Sequence, residues 1–449
     1  MSKKKILFLF TFILFAFGCS FDNKTGIWTG SEDEKRRISD LEKKQRQIID
    51  IEKFYSSDPV FNKEINLSKK INLSAPKKNP TWNMSGLNLQ NFKGNLYLDG
   101  IENRFLKKQV GKNKHSIANF ISYPLILPNS IVISDDKGSI FKISENGKII
   151  WKKNIYKKIY KKIYKNLNFS AYQNKLYVTD NIGFIYSINL ENGELEWLKN
   201  HGIPLKSNIK IFNNQIYSIN QDNRLICLNL KDGSLKWDIR SISSFIKLQN
   251  NLSLAVTDNG NIITINSSGT VIKASADTGD IYWSRDLSGS MLADATDFFK
   301  ISDIVLTDKY AIFSAGNSTS SYNLSDGSLN WEKNVISSTT PIIDKENIFL
   351  VTENGYFIIL EMQTGEILSS ANLLNILKKK KQETKISGFI MGSGKIYATT
   401  LNGYLIISSA ISGKPEYFVK IGEQISSTPI ISDGKLYILT DKPRIYGFN

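Results

Sequence analysis

Cysteine and histidine are scarce in this sequence, with two residues of each among 449. Cys19 and Cys227 are far apart along the chain, which therefore has neither a vicinal cysteine pair nor a disulfide framework. His115 and His201 lack the spacing of metal ligands, and neither is next to Cys227, which argues against a zinc site. A hydrophobic core must therefore stabilise the fold, and Cys227, within the apolar stretch "RLICLNL", is predicted to be a small buried residue of that core.

Catalytic signatures are also missing. No Gly-x-Ser-x-Gly motif is present, so a serine hydrolase has no support in the sequence. The stretch "GSGKIY" at 392–397 matches a phosphate-binding loop only in part, because Phe389 stands where the first glycine is required and Ile396 replaces the Ser or Thr. We therefore predict a protein that is not an enzyme, with no catalytic residue, no cofactor and no metal.

Long apolar runs are absent apart from one near the N-terminus. Three lysines precede the apolar residues 6–17, a run of suitable length for a signal peptide but short for a membrane span. The following "AFGC" resembles the lipobox of bacterial lipoproteins, although Ala16 and Phe17 replace the leucine and the small residue usual there. We predict a lipoprotein signal peptide over residues 1–19 with lipid attached at Cys19. The alternative is an ordinary secretory signal; in both cases the mature chain is exported without spanning a membrane.

Acidic residues are fewer than basic ones: the chain has 58 Lys and Arg and 42 Asp and Glu, which gives a net charge of +16. Lysine is spread through the whole chain, and exported proteins seldom meet nucleic acid, so we assign the charge to solubility and to attraction to anionic lipid or an acidic partner. Residues 20–79 are predicted to form a charged tether. Ile38, Leu41, Ile48 and Tyr55 have near-heptad spacing there, which predicts a short amphipathic helix or a segment that is disordered until bound.

A Gly-x-x-x-Trp motif recurs through the rest of the chain. Its glycines, with those of two degenerate copies, are spaced by 46, 40, 46, 48, 38 and 48 residues, close to the length of a four-stranded propeller blade. The copies are "GKIIW" (147–151), "GELEW" (193–197), "GSLKW" (233–237), "GDIYW" (279–283) and "GSLNW" (327–331), followed by the degenerate "GEILS" (365–369) and "GKPEY" (413–417).

Short strands with alternating apolar positions and polar turns fill each repeat, which is typical of an all-β fold. We predict an eight-bladed β-propeller of four-stranded antiparallel blades over residues 80–449, with seven blades as the alternative. The last unit ends at Asn449 before its outer strand. We expect the stretch "PTWNMSG" at 80–86 to supply that strand, since closing the ring removes two exposed sheet edges.

The periodic tryptophan has a structural interpretation. A large flat side chain on each outer strand fills the gap to the next blade, and its indole N–H can donate to a backbone carbonyl there. The structural residues of the motif are Gly147, Trp151, Gly193, Trp197, Gly233, Trp237, Gly279, Trp283, Gly327 and Trp331.

Two lysine-rich segments, 152–166 and 373–383, depart from the repeat and lie between blades. Both follow an outer strand, so we expect them on one face of the propeller, with Ile155, Ile159 and Ile163 along one side of a helix. They form a candidate surface for a partner or for anionic lipid headgroups; the alternative is a pair of solvated insertions. The candidate residues are Tyr156, Lys157, Lys158, Tyr160, Lys161, Lys162, Lys378 and Lys379.

The repeats "NLENGELEW", "NLKDGSLKW" and "ADTGDIYW" are similar to those of the PQQ-like propeller superfamily. Together with the lipoprotein signal, the tether "EKRRISDLE" and the entry "NPTWNMSG", they resemble the BamB family of outer-membrane lipoproteins. The resemblance covers essentially the whole chain.

This resemblance implies a non-catalytic scaffold of the β-barrel assembly machinery (the BAM complex), anchored by lipid to the periplasmic face of the outer membrane. It also implies binding to the periplasmic domains of BamA, with nascent outer-membrane proteins as further possible partners. Two alternatives stay open: another envelope propeller lipoprotein, and a PQQ-dependent dehydrogenase, which would use the central funnel for its cofactor and Ca²⁺.

Overall fold

The computed structural model describes residues 34–41, 43, 61–112, 122–241, 252–287, 301–337 and 339–449. In these ranges the chain forms 32 strands in eight four-stranded antiparallel sheets. The predicted eight-bladed propeller is therefore confirmed, and the seven-bladed alternative is wrong. Helix α1 spans residues 34–41, and 3-10 helices span Lys158–Tyr160 and Leu373–Glu383. Within the described ranges, no helix has both the length and the apolar character needed to cross a bilayer.

Blades 1 to 4 follow one another along the chain, each built from inner strand to outer strand. Their strands are β2 (Leu125–Leu127), β3 (Ser130–Ser134), β4 (Ile140–Ser144), β5 (Ile149–Lys153), β6 (Leu167–Tyr172), β7 (Lys175–Asp180), β8 (Phe184–Asn189), β9 (Leu195–Asn200), β10 (Lys210–Phe212), β11 (Gln215–Ile219), β12 (Arg224–Asn229), β13 (Leu235–Arg240), β14 (Ser253–Val256), β15 (Asn261–Ile265), β16 (Thr270–Ser275) and β17 (Ile281–Asp286).

Blades 5 to 8 continue in the same order, except that the outer strand of blade 8 comes from the N-terminal side of the chain. Their strands are β18 (Val305–Leu306), β19 (Tyr310–Ala315), β20 (Ser318–Asn323), β21 (Leu329–Lys333), β22 (Ile342–Asp344), β23 (Asn347–Val351), β24 (Tyr356–Glu361), β25 (Ile367–Asn372), β26 (Ile386–Gly392), β27 (Lys395–Thr400), β28 (Tyr404–Ser409), β29 (Pro415–Lys420), β30 (Ile430–Ser432), β31 (Lys435–Thr440), β32 (Arg444–Phe448) and β1 (Arg104–Gln109).

The second and third strands of a blade are buried, whereas the outer strand is largely exposed. All five residues of β11 are buried, and in β7 only the first residue, Lys175, is not. In contrast, Leu198 is the one buried residue of the outer strand β9. Apolar side chains of neighbouring blades pack together, as Ile263 of blade 4 and Phe313 of blade 5 do. The core is thus a ring of inter-blade clusters, which explains the apolar second and third strands of each repeat.

Antiparallel order gives the propeller two distinct faces. The turn between the first and second strands and the turn between the third and fourth lie at the same end of each blade, because strand direction alternates. We call this end the turn face; it carries the motif glycines. The opposite end, the connector face, carries the turns between the second and third strands and the connectors from each outer strand to the next blade.

Strand β1 closes the ring by pairing antiparallel with β32, the last strand of the chain. The prediction that the N-terminal side of the domain completes blade 8 is therefore confirmed, but the predicted donor, residues 80–86, is wrong. The strand is supplied about twenty residues later, because β1 carries the alternating apolar residue Leu106, which is buried in the seam between blades 8 and 1. Within the stretch 80–86, Trp82 instead pairs with Ile126 in the inner strand of blade 1.

Residues 82–99, which we call the axial segment, run around the inside of the ring and contact the inner strands in chain order. This segment lies inside the ring toward the turn face, since most of its backbone hydrogen bonds go to residues at or near the ends of the inner strands, such as Ala171, Val256 and Leu306. The contacts are Trp82 with Ile126 of blade 1, Asn83 with Ala171 of blade 2, Ser85 with Lys210 of blade 3, Leu89 with Val256 of blade 4, Gln90 with Leu306 of blade 5, Phe92 with the apolar cluster that contains Ile343 of blade 6, Leu96 with Met391 of blade 7 and Asp99 with Gly434 after the inner strand of blade 8.

Candidate partner surface

The motif tryptophans lie over the motif glycines of the following blade. The Trp283 indole donates from Nε1 to the carbonyl of Leu324, 3.2 Å away in blade 5. A Cβ added to Gly327 would stand 2.6 Å from the ring of Trp283, so a side chain at this position would collide with the indole. Gly327 also has a φ of +70°, which glycine adopts without steric cost.

The same arrangement repeats from blade to blade. The indole Nε1 of Trp151 donates to the carbonyl of Leu190 over 2.8 Å. In the same way, Trp237 donates to the carbonyl of Asp277 over 2.9 Å, and Trp331 donates to the carbonyl of Met362 over 2.8 Å. Trp197 covers Gly233 in the same way, although its buried N–H has no hydrogen-bond partner among the residues that the structure describes. Gly147 of blade 1 lies instead under Leu106 and Lys108 of the closing strand. These contacts thus join neighbouring blades.

The connector between blades 1 and 2 has an exposed basic side and a buried aromatic side. Lys157, Lys158, Lys161 and Lys162 are exposed on the connector face. Tyr156 donates its hydroxyl to the Asp180 carboxylate over 2.5 Å. The four lysines are therefore the exposed members of the candidate set in this connector, because the hydroxyls of Tyr156 and Tyr160 are hydrogen-bonded within the protein.

The isoleucines of this connector do not share one helical side, and that expectation is wrong. The helix is a single 3-10 turn, Lys158–Tyr160. Ile163 is fully buried, whereas Ile159 is 37% exposed. A single turn cannot align residues eight positions apart, so the connector is held by Tyr160 and Ile163 rather than by an apolar stripe.

Helix α1 of the predicted tether docks onto this connector and onto blade 2. The Arg37 guanidinium donates to the carbonyls of Ile182 and Gly202, at 2.6 and 2.8 Å, and pairs with Glu34. Glu34 in turn accepts the hydroxyl of Tyr160. Its ion pair and these hydrogen bonds hold the pKa of Glu34 below its usual value despite partial burial.

The spacing of Ile38 and Leu41 predicted the apolar side of this helix. Both are buried in the cluster that contains Tyr160 and Ile163, so the short helix has formed on the chain's own surface. Ile48 and Tyr55, with which they share the spacing, lie outside the described residues, as do Cys19 and the predicted signal peptide.

The second lysine-rich segment, Leu373–Glu383, connects blades 6 and 7 on the same face. Leu373, Leu374 and Leu377 are buried, whereas Lys378 is exposed and interrupts the 3-10 helix with a φ of 50°. Lys379 follows it in the chain. The expectation of a shared face agrees with the topology, but the two segments are three blades apart around the ring and do not form one patch.

A buried charged cluster beneath the first connector was missed by sequence reasoning. Asp180 accepts hydrogen bonds from the backbone N–H groups of Ile182, Gly183 and Phe184 as well as from Tyr156, while its burial raises its pKa. Burial lowers the pKa of Lys165 nearby to about 8. The available signal was Asp180 itself, a carboxylate at the end of the otherwise apolar second strand "KLYVTD".

The propeller axis holds the axial segment and one small cavity in the part of the chain that the structure describes. The axial segment contacts the inner strands toward its turn-face end, and a cavity on the other side of the segment measures about 20 Å³. Sites for small organic ligands measure roughly 300–1,000 Å³. The described residues also contain no group of three or more His, Cys, Asp or Glu side chains placed to hold a metal ion.

Comparison with known proteins places this architecture in a family. A family profile described as "Outer membrane protein assembly factor BamB" matches residues 134–371, just over half of the chain. The chain belongs to this family. A search of curated proteins finds no match.

Solved structures share the fold of this BamB-family chain at low identity. BamB from Moraxella catarrhalis has a TM-score of 0.61 and 11% identity, over 77% of this chain and 100% of that one. A europium-containing methanol dehydrogenase has a TM-score of 0.61 and 12% identity, over 80% and 89% of the two chains. Quinohemoprotein alcohol dehydrogenase from Comamonas testosteroni has a TM-score of 0.62 and 9% identity, over 82% and 80%. The fold is therefore common to assembly factors and dehydrogenases.

Proposed function

We propose that this protein is a non-catalytic scaffold lipoprotein of outer-membrane β-barrel assembly, which binds BamA-type periplasmic domains and assists the insertion or folding of outer-membrane proteins. The match to the BamB family supports this assignment. The observation that carries it against a dehydrogenase is the axial segment, because the chain's own residues 82–99 occupy the channel that a central cofactor requires. Function then rests on the outer surfaces of the propeller.

The four connector lysines are the proposed contact for an acidic partner. They project from a connector that is fixed from below by Tyr156, Tyr160 and Ile163, so the charges are presented on a rigid support. Electrostatic complementarity of this kind contributes to association rate and to partner choice. Lipid at Cys19 is the proposed anchor, at the periplasmic face of the outer membrane.

A pull-down from gently solubilised membranes tests the partner. We expect wild-type protein to recover BamA, and the variant Lys157→Glu, Lys158→Glu, Lys161→Glu, Lys162→Glu to recover at least several-fold less, because the surface charge is inverted. The matched control carries four Lys→Glu changes on exposed turn-face positions: Lys148, Lys231, Lys309 and Lys414.

Equal recovery of BamA by both variants would remove the connector from the proposed interface. Recovery of a different envelope complex by the wild type would favour another scaffold role, and the absorbance of a bound quinone would favour the dehydrogenase. Mass spectrometry of the mature N-terminus tests the lipid at Cys19.

A further inference from the structure

A segment that precedes the axial segment in the chain lies along the outer strand of blade 6. We call this segment, residues 61–70, the strap. Ile65 pairs antiparallel with Ser370 of β25, and each donates its backbone N–H to the carbonyl of the other over 2.9 Å. Three residues further on, the N–H of Ser68 donates to the carbonyl of Leu368 over 3.0 Å. The strap thus bonds to backbone groups that an outer strand otherwise leaves unpaired.

The outer strand of blade 6 differs in charge from the other seven outer strands. Each of those seven carries at least one Lys or Arg, as do Lys199 in β9, Lys333 in β21 and Lys420 in β29. Strand β25, with the sequence "ILSSAN", carries none. Charged side chains on an edge strand discourage pairing with another strand, so among the eight outer edges that of blade 6 is suited to accept one.

The motif of blade 6 is degenerate at the position where the strap lies. Ser369 stands where five other blades have the motif tryptophan, and its hydroxyl donates to the Ile65 carbonyl over 3.4 Å. Ser369 and Ser370 are both buried, whereas most residues of the outer strand β17 are exposed. The small residues of β25 are therefore explained by the segment that covers them.

Side chains of the strap show which chemistry this edge selects. The Glu64 carboxylate accepts hydrogen bonds from the backbone N–H of Asn372 over 3.2 Å and from the side-chain amide of Asn375 over 2.8 Å. Phe61 packs edge-on against Tyr356, with ring centroids 5.8 Å apart. In strand addition, backbone hydrogen bonds supply affinity and side-chain contacts of this kind supply specificity. The edge therefore fits a segment in which a carboxylate directly precedes an apolar residue and follows an aromatic one by three positions.

The strap is attached less firmly than the chain that follows it. Phe61 and Ile65 are half-buried, the other eight strap residues are exposed, and Leu67 leaves 41% of an apolar residue in solvent. In contrast, the next residue, Ile71, is buried in the apolar cluster of blades 6 and 7. Segments with few buried apolar contacts open locally without global unfolding. The strap can therefore leave the edge while the chain from Ile71 onward stays in place.

We propose that the outer edge of blade 6 binds an extended segment of a partner polypeptide by strand addition, and that the strap occupies this site until the partner displaces it. The partner segment carries a carboxylate directly before an apolar residue, as the strap does at Glu64 and Ile65. A tethered strap competes at an effective concentration on the order of millimolar, so it keeps weakly binding segments off the edge. This surface is separate from the connector lysines between blades 1 and 2 and does not depend on the partner proposed for them.

A labelled peptide with the strap sequence FNKEINLSKK tests the site on the purified full-length chain. We expect Ile65→Pro to bind this peptide at least roughly tenfold more tightly than the wild type, because the substitution removes an N–H that holds the competing strap. Asn66→Pro is the matched control and should bind as the wild type does, since alternate residues of a paired strand direct their N–H groups to opposite sides. A Glu64→Lys version of the peptide should bind the Ile65→Pro protein several-fold more weakly.

Hydrogen–deuterium exchange locates the bound peptide. The Ser370 amide donates to Ile65, so it should exchange faster in Ile65→Pro than in the wild type and regain protection when the peptide is added. Equal peptide binding by Ile65→Pro and the wild type would overturn the proposal, as would a Ser370 amide that stays protected in Ile65→Pro without peptide. A wild-type dimer that the peptide dissociates would also overturn it, because the edge would then belong to the strap of a second copy.

Discussion

Trp283 and Gly327 show how two residues in different repeats specify one contact. Glycine is required at position 327 for two separate reasons. Its φ of +70° disfavours any residue with a Cβ, and the indole of Trp283 lies where the Cβ would be. The sequence pattern predicted the tryptophan as filling between blades. The pattern did not indicate that the glycine of each motif packs under the tryptophan of the preceding blade. These two residues are about 45 positions apart in the chain, so no local pattern connects them.

Replacing Gly327 by alanine should lower the free energy of unfolding by about 2–4 kcal/mol, the sum of backbone strain and overpacking against the indole. Gly422→Ala is the matched control, because Gly422 has a φ of +88° with no atom within 4 Å of an added Cβ. Urea denaturation of both variants separates the two costs. Equal losses in the two variants would contradict the role of the indole contact.

Lys210 is a residue whose environment could not be predicted from its repeat. It occupies the first position of β10 in "IKIF", and only the axial segment, more than a hundred residues earlier, covers and satisfies its ammonium. Burial lowers its pKa to about 7, whereas a lysine in the unfolded chain titrates near ~10.4.

The unfolded state therefore binds more protons than the folded state between about pH 7 and pH 10, so Lys210 makes the free energy of unfolding rise with pH in this window. Its contribution to the slope is at most about 1.4 kcal/mol per pH unit. Thermal melts of Lys210→Met across this range should show a smaller rise than the wild type, and exposed Lys199→Met should follow the wild type. An undiminished rise in Lys210→Met would refute this assignment.

At the scale of single elements, helix α1 and the connector 154–166 bury each other's apolar side chains. The connector appeared in the sequence as a lysine-rich insertion, but Tyr160 and Ile163 are buried against blade 2 and α1, and Tyr156 packs against the same cluster. Helical spacing of Ile38 and Leu41 predicted the helix. Its docking site was not predictable, since the contacts of Arg37 are with backbone carbonyls, which leave no signature in sequence.

Replacing Arg37 by alanine should release helix α1 from blade 2, because two charge-assisted hydrogen bonds and the pairing with Glu34 are lost together. Hydrogen–deuterium exchange of the 34–41 peptide should accelerate by about tenfold or more, in line with a loss of ~1.5–3 kcal/mol. Arg36→Ala, at the exposed neighbouring position, serves as the control. Identical exchange in the two variants would show that Arg37 does not fix the helix.

At the scale of the whole molecule, the glycine spacing was sufficient to predict eight blades and ring closure. It was insufficient to identify the closing strand, because the candidate stretch 80–86 and the actual strand β1 both precede the first repeat. Burial distinguishes them: Leu106 of β1 fills the seam between blades 8 and 1, while Trp82 lies on the axis.

Substitution of Leu106 by aspartate should open this seam, since an unpaired carboxylate cannot be buried at 3% exposure without a large cost. Release of β1 leaves the edge of β32 unpaired, so we expect a lower melting temperature and self-association in light scattering. Gln109→Asp is the control, because position 109 is exposed in the same strand. A monomeric Leu106→Asp protein with wild-type stability would contradict closure by β1.

The axial segment has a consequence for the order in which the chain can fold. It precedes every blade in sequence, yet its contacts are completed only when the eighth inner strand has formed. Repeat proteins that contact only their neighbours gain stability unit by unit and can lose terminal units separately. Here one stretch of eighteen residues, the axial segment, contacts all eight blades, although it precedes every one of them in the chain. The propeller should therefore fold and unfold as one cooperative unit. A chain truncated within a late blade loses the contacts of the axial segment with that blade as well as the missing strands.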